Sequence, residues 1–276
     1  MRWSTCQKVL GKNILTAKKE NVWEGFPGTY RAQGPQRLWR SHSDSVNKAL
    51  VARWGPAEQM ETLLKTDLFD EAVGDGLSPL LASQANRVVY TDLSLEVHQM
   101  ARCRYPGLRT VVADVRCLPF VRDTFPGIVS NSTLDHFQSL DDLLASLREL
   151  FRVLRPGGQM ILTFDNLSNP IIRLRNWLPF RLLKRLKIVP YYVGVTVGPH
   201  RLEQFLKENG FEVLETDAIM HCPRVLAILA ARWLEKHGAP RGQRFLLRLL
   251  MAFERLSRLP TRFLTGYFIA IKAMKR

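Results

Sequence analysis

Residues 67–79 read "DLFDEAVGDGLSP", a strand-like opening that runs into Gly74 and Gly76, one residue apart. A strand that stops at Gly-x-Gly and leads into a helix brings bare backbone against a nucleotide, because a Cβ at either glycine would hold the ligand away. The stretch does not say which nucleotide. Outward from it, the chain alternates. "LFDEAV" reads as a strand, 77–85 as a helix, "RVVYTD" as a strand, 94–104 as a helix, "RTVVAD" and "GIVSN" as strands, 141–154 as a helix and "GQMILTFD" as a strand. Alternating strands and helices predict a doubly wound, mostly parallel sheet with helices on both faces and a ligand crevice at the carboxyl ends of its strands.

In that architecture the strand ends converge. The first ends at Asp70 to Gly76, the second at Asp92, the third at Asp114 and the fourth at Asn131 and Ser132. A carboxylate closing the second strand is an acceptor-only fork suited to a ribose diol, and Asp114 suits an exocyclic amine such as that of adenine. Helix capping is the alternative for each acid taken singly.

The remainder of the chain adds context. Its 276 residues, 46% hydrophobic and 24% charged, suit a globular protein with one large core. Cys6, Cys103, Cys117 and Cys222 are scattered with no C-x-x-C pair and no His at metal spacing. We therefore expect no metal, and a reducing, cytoplasmic setting. The N-terminus shows no apolar signal region and no run of eighteen apolar residues occurs, so neither secretion nor a membrane span is expected. Of the net charge of +15, residues 1–168 hold 20 Lys/Arg against 18 Asp/Glu, and 169–276 hold 20 against 7. The last two-fifths of the chain is thus a basic object attached to a neutral one, which implies an acidic partner: phosphate, lipid headgroup or nucleic acid. Residues 1–60 read as an irregular arm followed by a helix from about Ser43, and 61–276 as the catalytic-type domain, with 166–198 and 222–262 as basic helical insertions or a lid.

The runs "DEAVGDG", "VVYTDLS", "ADVRCLPF", "IVSNSTLDHF", "ELFRVLRPGGQMILT" and "RLEQFLKENGFEV", in this order and spacing, resemble class I S-adenosylmethionine (SAM)-dependent methyltransferases of the ubiquinone/menaquinone-biosynthesis type, over residues 66–165 and 199–219. The resemblance implies a Rossmann-like seven-stranded sheet and SAM as cofactor. It places the glycine loop on Asp70, Ala72, Gly74 and Gly76, with alanine where the family has its first glycine. It further implies Asp92, with Leu93 beside it, on the ribose, Asp114 and Val115 at the adenine, and Asn131 with Ser132 on the methionine side. A dinucleotide enzyme is disfavoured, because the third glycine of G-x-G-x-x-G is missing from "GDGLSP".

Methyl transfer from a sulfonium needs alignment more than side-chain chemistry, although a general base helps a hydroxyl acceptor. His136, beside Asp135 and five residues past Asn131, is the first candidate base, with His200 after "VTVGP" as the second. Arg40 and His42, in "RLWRSHSDS", are candidates for meeting a carboxylate or substrate. The other reading makes them a solvated helix entrance capped by Ser43 or Asp44. Tyr191 and Tyr192 are candidates for lining the acceptor pocket. "SNST" replaces the Asn/Asp-Pro-Pro-aromatic signature of amino-group nucleic-acid methylation, which argues against nucleic acid. The expected acceptor is a small molecule or lipid-linked compound, methylated on a hydroxyl. The alternative is a catalytically weak methyltransferase-fold module whose basic part binds a membrane surface or nucleic acid, and Ala72 is its support. Residues 171–188, and "RFLLRLLMAFERLSRL" with its Arg244, Arg248, Arg255 and Arg258 stripe opposite Leu246, Leu249, Leu250 and Phe253, have the amphipathic basic character of interfacial helices, peripheral on an anionic membrane. For the second helix, packing of the whole apolar face is the preferred reading.

Overall fold

The computed structural model describes residues 36–178 and 194–276. Seven strands form one sheet in the order β3-β2-β1-β4-β5-β7-β6. These are β1 Met60–Lys65, β2 Ala85–Asp92, β3 Arg109–Val112, β4 Phe125–Asn131, β5 Leu154–Asp165, β6 Phe211–Ile219 and β7 Phe268–Lys275. The first five are parallel, and β7 runs antiparallel between β5 and β6. The strand order reverses between β1 and β4, so a crevice opens at their carboxyl ends.

The helices are α1 Arg37–Trp54, α2 Phe69–Val73, α3 Ser78–Gln84, α4 Leu95–Arg104, α5 Leu140–Val153, α6 Pro170–Trp177, α7 Pro199–Glu208, α8 Arg224–His237, α9 Pro240–Ala252 and α10 Arg262–Thr265. One apolar cluster joins α1, the β1–β2 side of the sheet and the helices α8 and α9, through Leu38, Val46, Leu50, Leu63, Tyr90, Ala227, Ala231, Leu246 and Leu250. On the other face, α5 and α7 cover the sheet through Leu143, Leu147, Leu150, Leu202 and Phe205.

Three expectations about local structure are corrected. The first strand is "METLLK", not "LFDEAV": residues 69–73 form one turn of helix. Leu63 and Leu64 fill the two faces of a central strand, whereas the adjacent acids Asp70 and Glu71 would place a charge into each apolar layer. In the first turn of a helix the same acids are favoured, and Glu71 folds back toward the end of β1. The second correction concerns α1, which begins at Arg37 because Leu38, Trp39 and His42 extend the buried face of Val46, Leu50 and Trp54 backward. Ser43 and Asp44 are therefore interior residues, not caps. Third, in α9 Leu246 and Leu250 are buried but Leu249 is 46% exposed, so the apolar face does not pack as a whole. Cys103 and Cys222 are free thiols, and Cys117 is disulfide-bonded, a link the cysteine spacing did not suggest.

Candidate functional site

β1 delivers Lys65, a fully buried cation, to the crevice. Its Nζ lies 2.9 Å from Asp67 Oδ2, donates to the Asp67 carbonyl at 2.9 Å and donates to Glu71 Oε2 at 2.8 Å. Glu71 Oε1 in turn accepts from Leu77 N–H at 2.8 Å. Burial works against the ammonium, but Asp67 and then Glu71 outweigh it and hold Lys65 protonated far above the ordinary lysine range.

The two glycines that opened the question are packed against the chain's own carboxylates. Gly76 sits at φ +55°, and a Cβ on it would come within 2.5 Å of Glu71 Oε1; one on Gly74 would come within 2.8 Å of Asp44 Oδ2. Asp44 Oδ2 accepts from Asp75 N–H at 3.0 Å and Gly76 N–H at 3.1 Å. Arg40 ties this arrangement together, donating to Asp44 Oδ1 at 3.2 Å and pairing closely with Asp70. Burial raises the Asp44 pKa, against the pull of Arg40. At Asp70 burial also works upward, yet Arg40 and Lys65 outweigh it and hold the carboxyl below the usual range. Ala72 points into the apolar core, 7% exposed, so the residue that departs from the glycine pattern is a packing residue of a helical turn.

Across the switch point, Asn131 Nδ2 donates to Asp70 Oδ2 at 3.1 Å, while Thr163 on β5 donates to Asn131 Oδ1 at 2.7 Å. The amide is thereby fixed between α2 and β5. Ser132, at φ +48°, donates its hydroxyl to Asp135 Oδ2 at 2.8 Å. Asp135 is 2% exposed, and burial raises its pKa. Its other oxygen, Oδ1, lies 3.8 Å from His136 Nε2, and the imidazole is about a quarter exposed. Residues 134–136 form a single 3-10 turn. Gly194 and Val195 donate main-chain N–H groups to the carbonyls of Asp135 and Phe137, at 3.1 and 2.7 Å. A Cβ on Gly194 would collide with the Phe137 carbonyl.

At the end of β2, Asp92 accepts from Leu68 N–H at 3.1 Å and Ser94 N–H at 2.9 Å, one bond per oxygen. Each oxygen keeps a lone pair for a further donor. Burial raises its pKa despite those bonds. Leu93 beside it is 43% exposed. Asp114 is forked by Arg116, whose other nitrogen reaches Asp142 at 2.6 Å. Val115 is 7% exposed and belongs to the apolar core.

Hydrogen bonds thus join Arg40, Asp70, Asn131, Ser132 and Asp135 around the β1–β4 switch point, and Asp92 touches the same loop through Leu68. His200 stands exposed on the first turn of α7. His42 is buried at 0% exposure, its Nε2 3.4 Å from Cys222 Sγ and its ring 5.6 Å from Trp39, and burial lowers its pKa to about 4. Tyr191 and Tyr192 lie outside the described residues. Sequence reasoning missed Lys65, Glu71 and Arg116. A lysine at the end of the otherwise apolar "TLLK" was the signal for the first, and the i,i+4 spacing of Arg40 and Asp44 was the signal for their pairing.

The seven-stranded sheet and the crevice at its carboxyl ends have the fold of class I SAM-dependent methyltransferases. Residues 70–162 match the family model described as "Methyltransferase domain". It is 32% identical over 149 residues to a demethylmenaquinone methyltransferase of Streptomyces avermitilis, covering 54% of each chain. It is 30% identical over 151 residues to a 2-phytyl-1,4-naphtoquinone methyltransferase of Nostoc punctiforme, covering 51% of this chain and 59% of that one. The chain spans about half the length of the curated relatives it matches. Among solved structures, a SAM-dependent methyltransferase of Thermotoga maritima, described as a possible histamine N-methyltransferase, superposes with a TM-score of 0.59 at 16% identity, covering 93% of this chain and 99% of that one.

Proposed function

We propose that the chain transfers the methyl group of SAM to a small, lipid-like acceptor of the quinone class. The observation that carries this reading is the convergence of Asp70, Asp92, Asp114 and Asn131 at the carboxyl ends of adjacent parallel strands, around the point where strand order reverses. The relatives named for naphthoquinone substrates support the acceptor class. The residues present fit the cofactor. Asp92 retains acceptor capacity for the ribose hydroxyls, Leu93 offers an exposed apolar side chain next to it, and the Asp70–Asn131 pair presents an acceptor to an ammonium. SAM, when bound, supplies an activated methyl and its own leaving group.

Within that reading, the acceptor atom is a hydroxyl oxygen and His136 takes its proton. The buried Asp135 carboxylate 3.8 Å away would then stabilise the imidazolium. Ala72 lends no support to the catalytically weak module, since its side chain lies in the core. The test is calorimetric titration with SAM, followed by transfer of labelled methyl to a prenylated demethylnaphthoquinol, with the methylated atom identified by NMR. A chain that binds no SAM overturns the reading. Methyl on carbon overturns the hydroxyl assignment alone.

A further inference from the structure

We propose that the helical insertion between β6 and β7, together with the outer face of α6, lies on an anionic lipid bilayer. This deepens the acceptor reading above and rests on it for its purpose, since a lipid-like acceptor must reach the crevice from a membrane.

The inward faces of the insertion are already occupied. Ala227 and Ala231 of α8 and Leu246 and Leu250 of α9 are buried against α1 and the sheet. The outward face of α8 nonetheless carries Val225, Leu226, Leu229 and Trp233, between 56% and 65% exposed and spaced so as to share one side of the helix. On α9, Phe245 and Leu249 are 68% and 46% exposed beside the exposed Arg244 and Arg248. On α6, Ile171, Leu174 and Trp177 form a third strip, with Trp177 79% exposed. Isolated exposed apolar residues need no explanation, but a patch of leucines and tryptophans interleaved with arginines does. It has the composition of an interfacial helix, with apolar side chains for the acyl boundary and cations for the headgroups.

Charge identifies the occupant. Residues 222–262 contain nine Lys/Arg and two acids, Glu235 and Glu254. Both acids are directed inward: Glu235 accepts from Leu38 N–H at 2.6 Å, and Glu254 accepts from Met220 and His221 N–H, both at 3.0 Å. Among the described residues, Arg241, Arg244, Arg248, Arg255 and Arg258 make no ion pair with a carboxylate. The outer surface is therefore cationic and apolar, complementary to a sheet of anionic headgroups. The described helices include none long and apolar enough to cross a membrane, so this face lies on the surface.

Topology places the patch beside the crevice. Phe268 of β7 pairs with both Asp165 and Ile219, so the insertion leaves and re-enters the sheet at the carboxyl end of β5, two residues beyond the Asn131–Thr163 pair. Arg175 of α6 pairs with Asp165 at 2.7 Å and donates to Tyr267 Oη at 3.2 Å, and Arg224 of α8 lies 4.8 Å from the same tyrosine ring. One ring thus anchors α6 and the start of α8 at the end of the sheet where the crevice opens.

The experiment is flotation of the full chain with phosphatidylcholine vesicles, with and without phosphatidylglycerol, at low and high salt. The proposal expects at least about tenfold stronger binding to the anionic vesicles, weakened by salt. Leu229→Gln with Trp233→Gln should abolish flotation, and Arg244→Gln with Arg248→Gln should reduce both the binding and its salt dependence. Calorimetric SAM binding and circular dichroism should remain those of the parent in each variant. No flotation, or flotation indifferent to lipid charge and salt, overturns the proposal. So does concentration-dependent dimerisation in sedimentation that Trp233→Gln removes, which would make the patch a contact with a second copy. Failure of methyl transfer with intact flotation strikes the functional reading alone.

Discussion

The crevice rim and the β6–β7 insertion treat charge in opposite ways. At the rim, Lys65, Glu71, Arg40, Asp44 and Asp70 are buried or nearly so and saturate one another or the backbone. In the insertion the two glutamates turn inward, while Arg241, Arg244, Arg248, Arg255, Arg258 and several large apolar residues face out. A charge held in low dielectric is costly to leave alone, so the rim is a mutually dependent network, whereas the outer arginines are individually dispensable to the fold. Foldedness should therefore be sensitive to the first region and surface recognition to the second.

That contrast is tested hardest by Lys65→Met. It leaves Asp67 and Glu71 buried without their cation and should cost about 3–5 kcal/mol in urea unfolding. Adding Glu71→Gln should recover part of the loss. A cost below 1 kcal/mol, about that of an exposed pair, would break the comparison.

At the seam between the regions, His42 makes a pH-dependent contribution. Its folded pKa of about 4 lies below the ordinary 6.5, so the stability gained from the neutral imidazole is fully present above 6.5 and is lost as pH falls through 4. Between neutrality and about pH 4.5, His42→Gln should lose about 2–3 kcal/mol less stability than the parent. Parallel pH profiles of the two would refute the burial effect.

Binding sharpens the comparison further. Asp92→Ala should weaken SAM by roughly 1.5–3 kcal/mol, the scale of hydrogen bonds to a charged acceptor, and calorimetry showing unchanged affinity would remove Asp92 from the cofactor site. The smallest effect belongs to the insertion, where Arg244→Gln with Arg248→Gln should leave unfolding within about 0.5 kcal/mol of the parent.

The alternation from Ala85 onward was legible because those strands and helices keep uninterrupted patterns, and it brought Asp92, Asp114 and Asn131 to strand ends. β1 was not legible. "METLLK" ends in a charged residue, and only the later folding back of Glu71 explains how Lys65 is tolerated in the core. The contact of Asp44 with the glycine loop spans about thirty residues and leaves no local signal. The basic excess of the insertion could be counted directly. Its orientation could not, because a helical wheel groups Leu249 with Leu246 and Leu250, although only the latter two meet α1 and the sheet.

The main-chain clasp on the 134–137 turn carries a consequence for how this protein could change. Gly194 and Val195 grip the carbonyls of Asp135 and Phe137, not their side chains, and Gly194 brings no atom of its own beyond the backbone. The turn's position is therefore independent of which side chain stands at 136. Under the role proposed for His136, replacements there should exchange the proton-accepting group without moving the platform that presents it, leaving acceptor chemistry free to drift by single substitutions on a stationary frame, while substitution of Gly194 displaces the platform whatever residue it carries.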